Sequence, residues 1–138
     1  MKLKKKINDT NIKLVKIEKD SSLPFENNSF DYITICNVLF HLDDKSVDLI
    51  LDDSRRLLKK DGKIIILTPT GNNDFFSLLA KFFSLDNLSI LIWYFATKRR
   101  AKTWVRERYL EQYSSKNKLN YKKKITMGGF ALFEIIRM

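Results

Sequence analysis

Three short stretches of this 138-residue chain carry polar side chains where an α/β sheet places its ligands. Asp20 and Ser21 follow a β-rich run, Ile12 to Ile17. Cys36 and Asn37 close an apolar run that begins at Tyr32, and Thr68 to Gly71 follows a third run, Lys63 to Leu67. Ligands of open α/β sheets bind beyond the carboxyl ends of the strands, so each stretch is a candidate wall of a site. Asn37 offers an amide donor and acceptor to a ligand, or merely suits the turn that ends a strand. Cys36 reads as a small buried filler rather than a nucleophile, since no cation beside it in sequence favours the thiolate. His41 reads as a general base or, preferably, as a partly buried ring bonded to backbone. With one cysteine and one histidine in the chain, a Cys/His metal site lacks ligands and an intrachain disulfide cannot form.

The elements that must position these groups follow from periodicity. Tyr32 to Cys36 is β-branched and aromatic and reads as a buried strand. A helix then starts near Asp43-Asp44, whose carboxylates suit an N-cap. Val47, Ile50, Leu51, Leu57 and Leu58 share one helical face, and Lys59, Lys60 and Gly62 are placed to close it. Lys63 to Leu67 is nearly all aliphatic, as expected of a strand covered on both faces. Strand, helix, strand with short connections makes a βαβ crossover. Phe75 to Thr97 predicts two helices with a break near Asp86, and Thr103 to Ser115 a further helix. Leu119 to Met127 alternates polar and apolar, so it predicts a strand with one dry face. Gly128-Gly129 predicts a two-residue hairpin turn, and Phe130 to Ile136, apolar on both faces, predicts a strand inside the sheet.

Composition narrows the class. An apolar fraction of 44% and an aromatic fraction of 12% predict a globular chain of one domain. Polar Asn8 to Asn11 follow the basic N-terminus where a signal peptide needs an apolar run, so a cytoplasmic location is expected. Lys81 and Asp86 interrupt the most apolar stretch, so no transmembrane segment is expected. The formal charge of +10 is uneven: residues 76–138 hold thirteen bases and four acids, whereas residues 21–75 hold six bases and nine acids. A nucleic acid or an anionic membrane surface is the partner such a basic tail would take; the alternative is compositional drift in a lysine-rich chain.

From Leu23-Pro24-Phe25 through Phe30-Asp31, the strand to Cys36, Asn37 to Leu42, the acid-capped helix, Leu57 to Gly62 and the strand to Leu67, order and spacing resemble the class I S-adenosylmethionine-dependent methyltransferases. The resemblance is to their small-molecule-type methyltransferase domain. It implies an α/β, Rossmann-like fold: a mostly parallel sheet with a C-terminal antiparallel hairpin, whose last strand inserts between its neighbours. It implies S-adenosyl-L-methionine as cofactor and methyl transfer to a small-molecule or lipid-like acceptor. Asp20 and Ser21 then match the adenine-reading position, and Cys36 and Asn37 the stretch beside the transferred methyl. His41 matches the pocket floor, and Phe75 and Trp93 fall where the family builds its acceptor pocket. None of the four glycines precedes Leu23, so the family's first strands and glycine-rich turn are missing and the chain alone is expected to be incomplete. The expected division is a cofactor-side part over 1–70, a helical acceptor or lid region over 71–118, and the hairpin over 119–138. The alternative from another class is a non-enzymatic methyltransferase-like module that binds nucleic acid or an anionic surface.

Overall fold

The computed structural model describes residues 13–17, 21–71 and 88–138. Their elements run β1 (Phe30–Cys36), α1 (Asp44–Leu57), β2 (Leu58–Pro69), α2 (Leu88–Glu107), α3 (Tyr109–Lys116), β3 (Asn120–Thr126) and β4 (Ala131–Arg137), with 3-10 turns at Leu39–His41 and Met127–Gly129. The strands form one mixed sheet in the order β1-β2-β4-β3. β1 and β2 are parallel, and β4 is antiparallel to both β2 and β3. The closing strand therefore sits inside the sheet, as its two apolar faces predict.

One face of that sheet carries the core. Val47 and Leu51 of α1, Ala101 and Trp104 of α2, and Leu110 and Tyr113 of α3 pack with Ile64, Ile66 and Ile136 of the strands. Fully burying an aliphatic side chain contributes about 1.5–3 kcal/mol, so this single layer is the main source of stability. The opposite face departs from expectation. β1 and β2 were expected to be covered on both sides, yet Tyr32, Thr34 and Cys36 are exposed, and Ile65 and Leu67 only half-buried. Strand side chains alternate between faces, and the described helices all contribute to the same layer. Cys36 is thus exposed rather than a buried filler.

Several local expectations are corrected. Lys13–Ile17 adopts no regular structure; Leu14 and Ile17 stay exposed, so no burial offsets the cost of ordering a strand there. Asp43 caps α1 as predicted, its Oδ1 accepting from the Ser46 N–H at 2.9 Å. The helix ends at Leu57, however, and Gly62 lies within β2 instead of closing the helix. Phe30 pairs with Leu58 and Tyr32 with Lys63, so residues 59–62 bulge opposite Asp31. Gly62 is needed there because a Cβ would lie 2.8 Å from Leu58 Cδ2 and 2.9 Å from the Lys59 carbonyl. Lys98 to Lys102 belong to the long helix α2, and the helix expected over Thr103 to Ser115 is broken at Arg108, which is left-handed at φ 53°. The break lets Tyr109 stack on Trp104 while Leu110 and Tyr113 reach the core. The break expected near Asp86 lies outside the described residues. The hairpin connection spans four residues between Thr126 and Ala131, not two, with Met127, Gly128 and Gly129 all at positive φ. Its expected dry face is partly wet: Tyr121 is half-buried, but Ile125 is 63% and Met127 60% exposed. Ile125 borders a cavity rather than the core.

Gly71, just past β2, fixes α2 against the sheet. It has φ 67°, and a Cβ there would lie 2.6 Å from the Lys98 carbonyl oxygen and 3.0 Å from the Lys102 amide nitrogen. Left-handed strain of about 1–2 kcal/mol adds to overpacking of about 1–3 kcal/mol. Gly71→Ala should therefore lower unfolding stability by about 2–5 kcal/mol. Urea denaturation checks this, and an unchanged midpoint would show that the close approach is not a constraint.

Candidate functional site

The carboxyl end of β1 is turned sharply by Asn37. It takes the left-handed conformation at φ 58°, which asparagine tolerates better than most residues, and its N–H donates to the Leu67 carbonyl at 2.9 Å. The 3-10 turn that follows is closed by N–H bonds from His41 to Val38 and from Leu42 to Leu39, each 3.0 Å. Leu39 and Phe40 are buried and anchor this turn, which leaves Cys36, Asn37, Val38 and His41 exposed.

At the carboxyl end of β2, the Thr70 hydroxyl donates to the Gly129 carbonyl at 2.6 Å and the Thr70 N–H to the Phe130 carbonyl at 3.0 Å. These bonds tie the loop to the hairpin, and Gly71 then meets α2 at Lys98–Lys102. From that part of α2, Arg100 Nη1 comes within 3.5 Å of His41 Nδ1. A guanidinium only donates, so a hydrogen bond here requires an unprotonated Nδ1 as its acceptor. His41 is therefore an exposed ring facing an arginine, not the partly buried, backbone-bonded histidine expected.

The expected site residues thus fall into separate groups. Cys36, Asn37 and His41 share one end of the sheet. Trp93, 37% exposed, lies on α2 two turns before Arg100. Ser21 is exposed in the irregular segment before Leu23. Asp20 and Phe75 lie outside the described residues.

A clamp that sequence reading missed holds the Leu23–Asn27 loop. Arg56 donates from Nε to Asp53 Oδ1 at 2.7 Å, from Nη1 to the Phe25 carbonyl at 3.0 Å and Asn27 Oδ1 at 2.7 Å, and from Nη2 to the Leu23 carbonyl at 3.0 Å. Asp53 Oδ2 accepts the Leu23 N–H at 2.5 Å. Burial pushes the Asp53 pKa up, but the Arg56 and Leu23 hydrogen bonds and the Arg56 charge outweigh it and hold it below the ordinary value. Asp31 takes no part in this clamp and pairs with Lys59 at 2.9 Å across the bulge. In sequence, Asp53 and Arg56 look like one more ion pair on a helix surface; nothing marks the backbone they grip.

A second polar site lies on the core face. Glu134 of β4 is 4% exposed, and its Oε1 accepts from the Tyr121 hydroxyl. Its Oε2 is buried without a hydrogen bond among the described residues. Burial raises the Glu134 pKa, against the lowering effects of Tyr121 and Lys123. Beside it, a cavity of about 290 Å³ runs between α2 and the hairpin, bordered by Thr70, Trp104, Arg108, Tyr121 and Ile125. The apolar residues flanking Glu134 in sequence hid this group. Among the described residues, no group of three or more His, Cys, Asp or Glu is placed to hold a metal, and no helix is long and apolar enough to cross a membrane.

Residues 1–66 match the methyltransferase domain family, just under half of the chain. A crystal structure of a SAM-dependent methyltransferase from Aquifex aeolicus superposes with TM-score 0.62 over 96% of this chain, at 14% identity. The chain has a Rossmann-like methyltransferase fold. It spans 60% of the length of that methyltransferase. A protein from Pyrococcus horikoshii OT3 is also similar, with TM-score 0.43, 13% identity, and coverage of 84% of this chain and 57% of that one. No curated protein matches the chain. In this methyltransferase fold the clamp steadies the loop entering β1, so it should matter for stability. Because the folded Asp53 pKa is depressed, its contribution is complete above the ordinary value of 3.8 and is lost as pH falls through the lower folded value. Arg56→Ala should cost about 1–3 kcal/mol at neutral pH and flatten the acid limb of the stability profile. An unchanged acid limb in urea titrations at several pH values would remove Asp53 from that role.

Proposed function

We propose that the chain is part of an enzyme that transfers a methyl group from S-adenosylmethionine to a small-molecule or lipid-like acceptor. On this reading the cofactor lies over the carboxyl ends of β1 and β2. The observation that carries it is the turn at Asn37, which exposes Cys36, the Asn37 amide and Val38 together at a strand end of this fold. That mix of a hydrogen-bonding amide and exposed apolar surface suits a ligand with polar and apolar parts.

The sulfonium supplies an already electrophilic methyl group, so the protein's task is alignment more than activation. Asn37 would hold the ligand through its side-chain amide. His41, with Nδ1 turned to Arg100, would orient the acceptor as a donor from Nε2 rather than take its proton. Trp93, and Phe75 with it, would border the acceptor; Asp20 and Ser21 would read the adenine end. The single exposed thiol and the absence of a disulfide partner support a cytoplasmic setting.

Titration of the full chain with S-adenosylhomocysteine, followed residue by residue by NMR, tests the site even when binding is weak. Amide shifts should cluster at Cys36–His41 and Thr68–Gly71 and spare β3. Asn37→Gly keeps the left-handed turn and removes the amide, so it should weaken binding several-fold; loss of one hydrogen bond is worth about 0.5–1.5 kcal/mol. Shifts confined to the hairpin would contradict the placement.

A further inference from the structure

Helix α2 presents two opposed stripes. Tyr94, Thr97, Ala101 and Trp104 are buried. On the other side Ile92, Phe95, Arg99, Lys102 and Arg106, spaced by alternating three and four residues, are all exposed. That exposed stripe changes character along its length. Its first part is apolar, with Ile92 63% and Phe95 38% exposed. Its second part is cationic: from Leu88 to Arg106 the sequence has five bases and no acid. An exposed apolar stripe that turns basic within two helical turns has no use in a merely solvated helix.

The fold sets where this stripe points. Gly71 pins Lys98–Lys102 at the carboxyl end of β2, and Trp104 and Ala101 pack in the core. The ten residues before Lys98 span about 15 Å of helix, so Ile92, Trp93 and Phe95 lie toward the end of the sheet where ligands of this fold class bind. Along the axis, Ile92 and Arg99 are about 10 Å apart. An interfacial helix buries its apolar groups about 5–10 Å deep while its cations stay at the headgroups.

We propose that this face of α2 docks on an anionic lipid surface, Ile92 and Phe95 entering the interface and Arg99, Lys102 and Arg106 contacting lipid phosphates. The charge selects an anionic partner, and the apolar end selects a bilayer over a nucleic acid, whose phosphate backbone offers Ile92 and Phe95 nothing to enter. The docking stands apart from the methyl-transfer reading. If both hold, the acceptor is a membrane-resident molecule presented at the carboxyl ends of the strands.

The test uses the full chain without cofactor, so its outcome is independent of methyl transfer. Flotation with phosphatidylglycerol vesicles should recover the protein, and phosphatidylcholine vesicles should not. Binding should fall steeply with salt. Arg99→Glu with Lys102→Glu should reduce binding by at least about tenfold, and so should Ile92→Ser with Phe95→Ser, each variant keeping the far-ultraviolet circular dichroism of the parent. No binding to phosphatidylglycerol, or binding that ignores Ile92→Ser with Phe95→Ser, would overturn the proposal. Equal or tighter binding to duplex DNA would assign the face to nucleic acid instead. Self-association that the apolar variants abolish would assign it to a second copy of the chain.

Discussion

The backbone of Gly71 lies so close to α2 that no side chain fits between them, and this contact decides where the helix's functional groups stand. Because the approach falls between Lys98 and Lys102, the turn of α2 that carries Arg100 sits beside the turn that carries His41. Without it, α2 would still have an apolar buried stripe, but at its Lys98–Lys102 turn nothing would fix its position against the strand end. Hydrophobic burial is non-directional and tolerates sliding. A glycine backbone wedged against a helix does not. The candidate site at the strand ends and the basic face of α2 are therefore consequences of one steric fit.

Lateral position is set by hydrogen bonds between α1 and α3. Tyr109 donates to Asp48 at 2.9 Å and Tyr113 to Asp52 at 2.5 Å, two tyrosines one turn apart meeting two aspartates one turn apart. Burial first, and the neighbouring carboxylate second, push the Tyr113 phenol up to about 12 and the Tyr109 phenol higher still, so both stay protonated as donors. Matched spacing on both helices admits one register. Together with the left-handed break at Arg108, this holds the α2–α3 corner and keeps Trp104 over the core end of the cavity beside Glu134.

Much of the fold was legible in the sequence because it depends on local rules. Asp43 announces a helix start by its own side chain, and Phe130 to Ile136 announces an internal strand by having no polar face save Glu134. The path from Leu23 to Pro69 also carries a recognisable order of elements. What was not legible depends on partners distant in the chain. Gly62 resembles a helix-closing glycine until the register of β1 against β2 shows it inside a bulge. Cys36 resembles a buried residue until the helices are seen to cover the other face. Arg56 grips backbone around thirty residues away, and Glu134 finds Tyr121 only through the hairpin pairing. Within the candidate site, Asn37 and His41 were identifiable by position at a strand end, whereas Arg100 was hidden in a run of like charges.

The claim that organises these observations is that the carboxyl ends of β1 and β2 form the ligand end of a methyltransferase fold. Ultraviolet cross-linking with S-adenosylmethionine labelled in its methyl group, followed by tryptic mapping, addresses it most directly. Cleavage after Lys19 and Lys45 releases one peptide, Asp20 to Lys45, that contains Ser21, Cys36, Asn37 and His41. If those strand ends hold the cofactor, the label falls in that peptide and is competed away by S-adenosylhomocysteine. Label confined to peptides C-terminal to Lys118, or not competed at all, would contradict it.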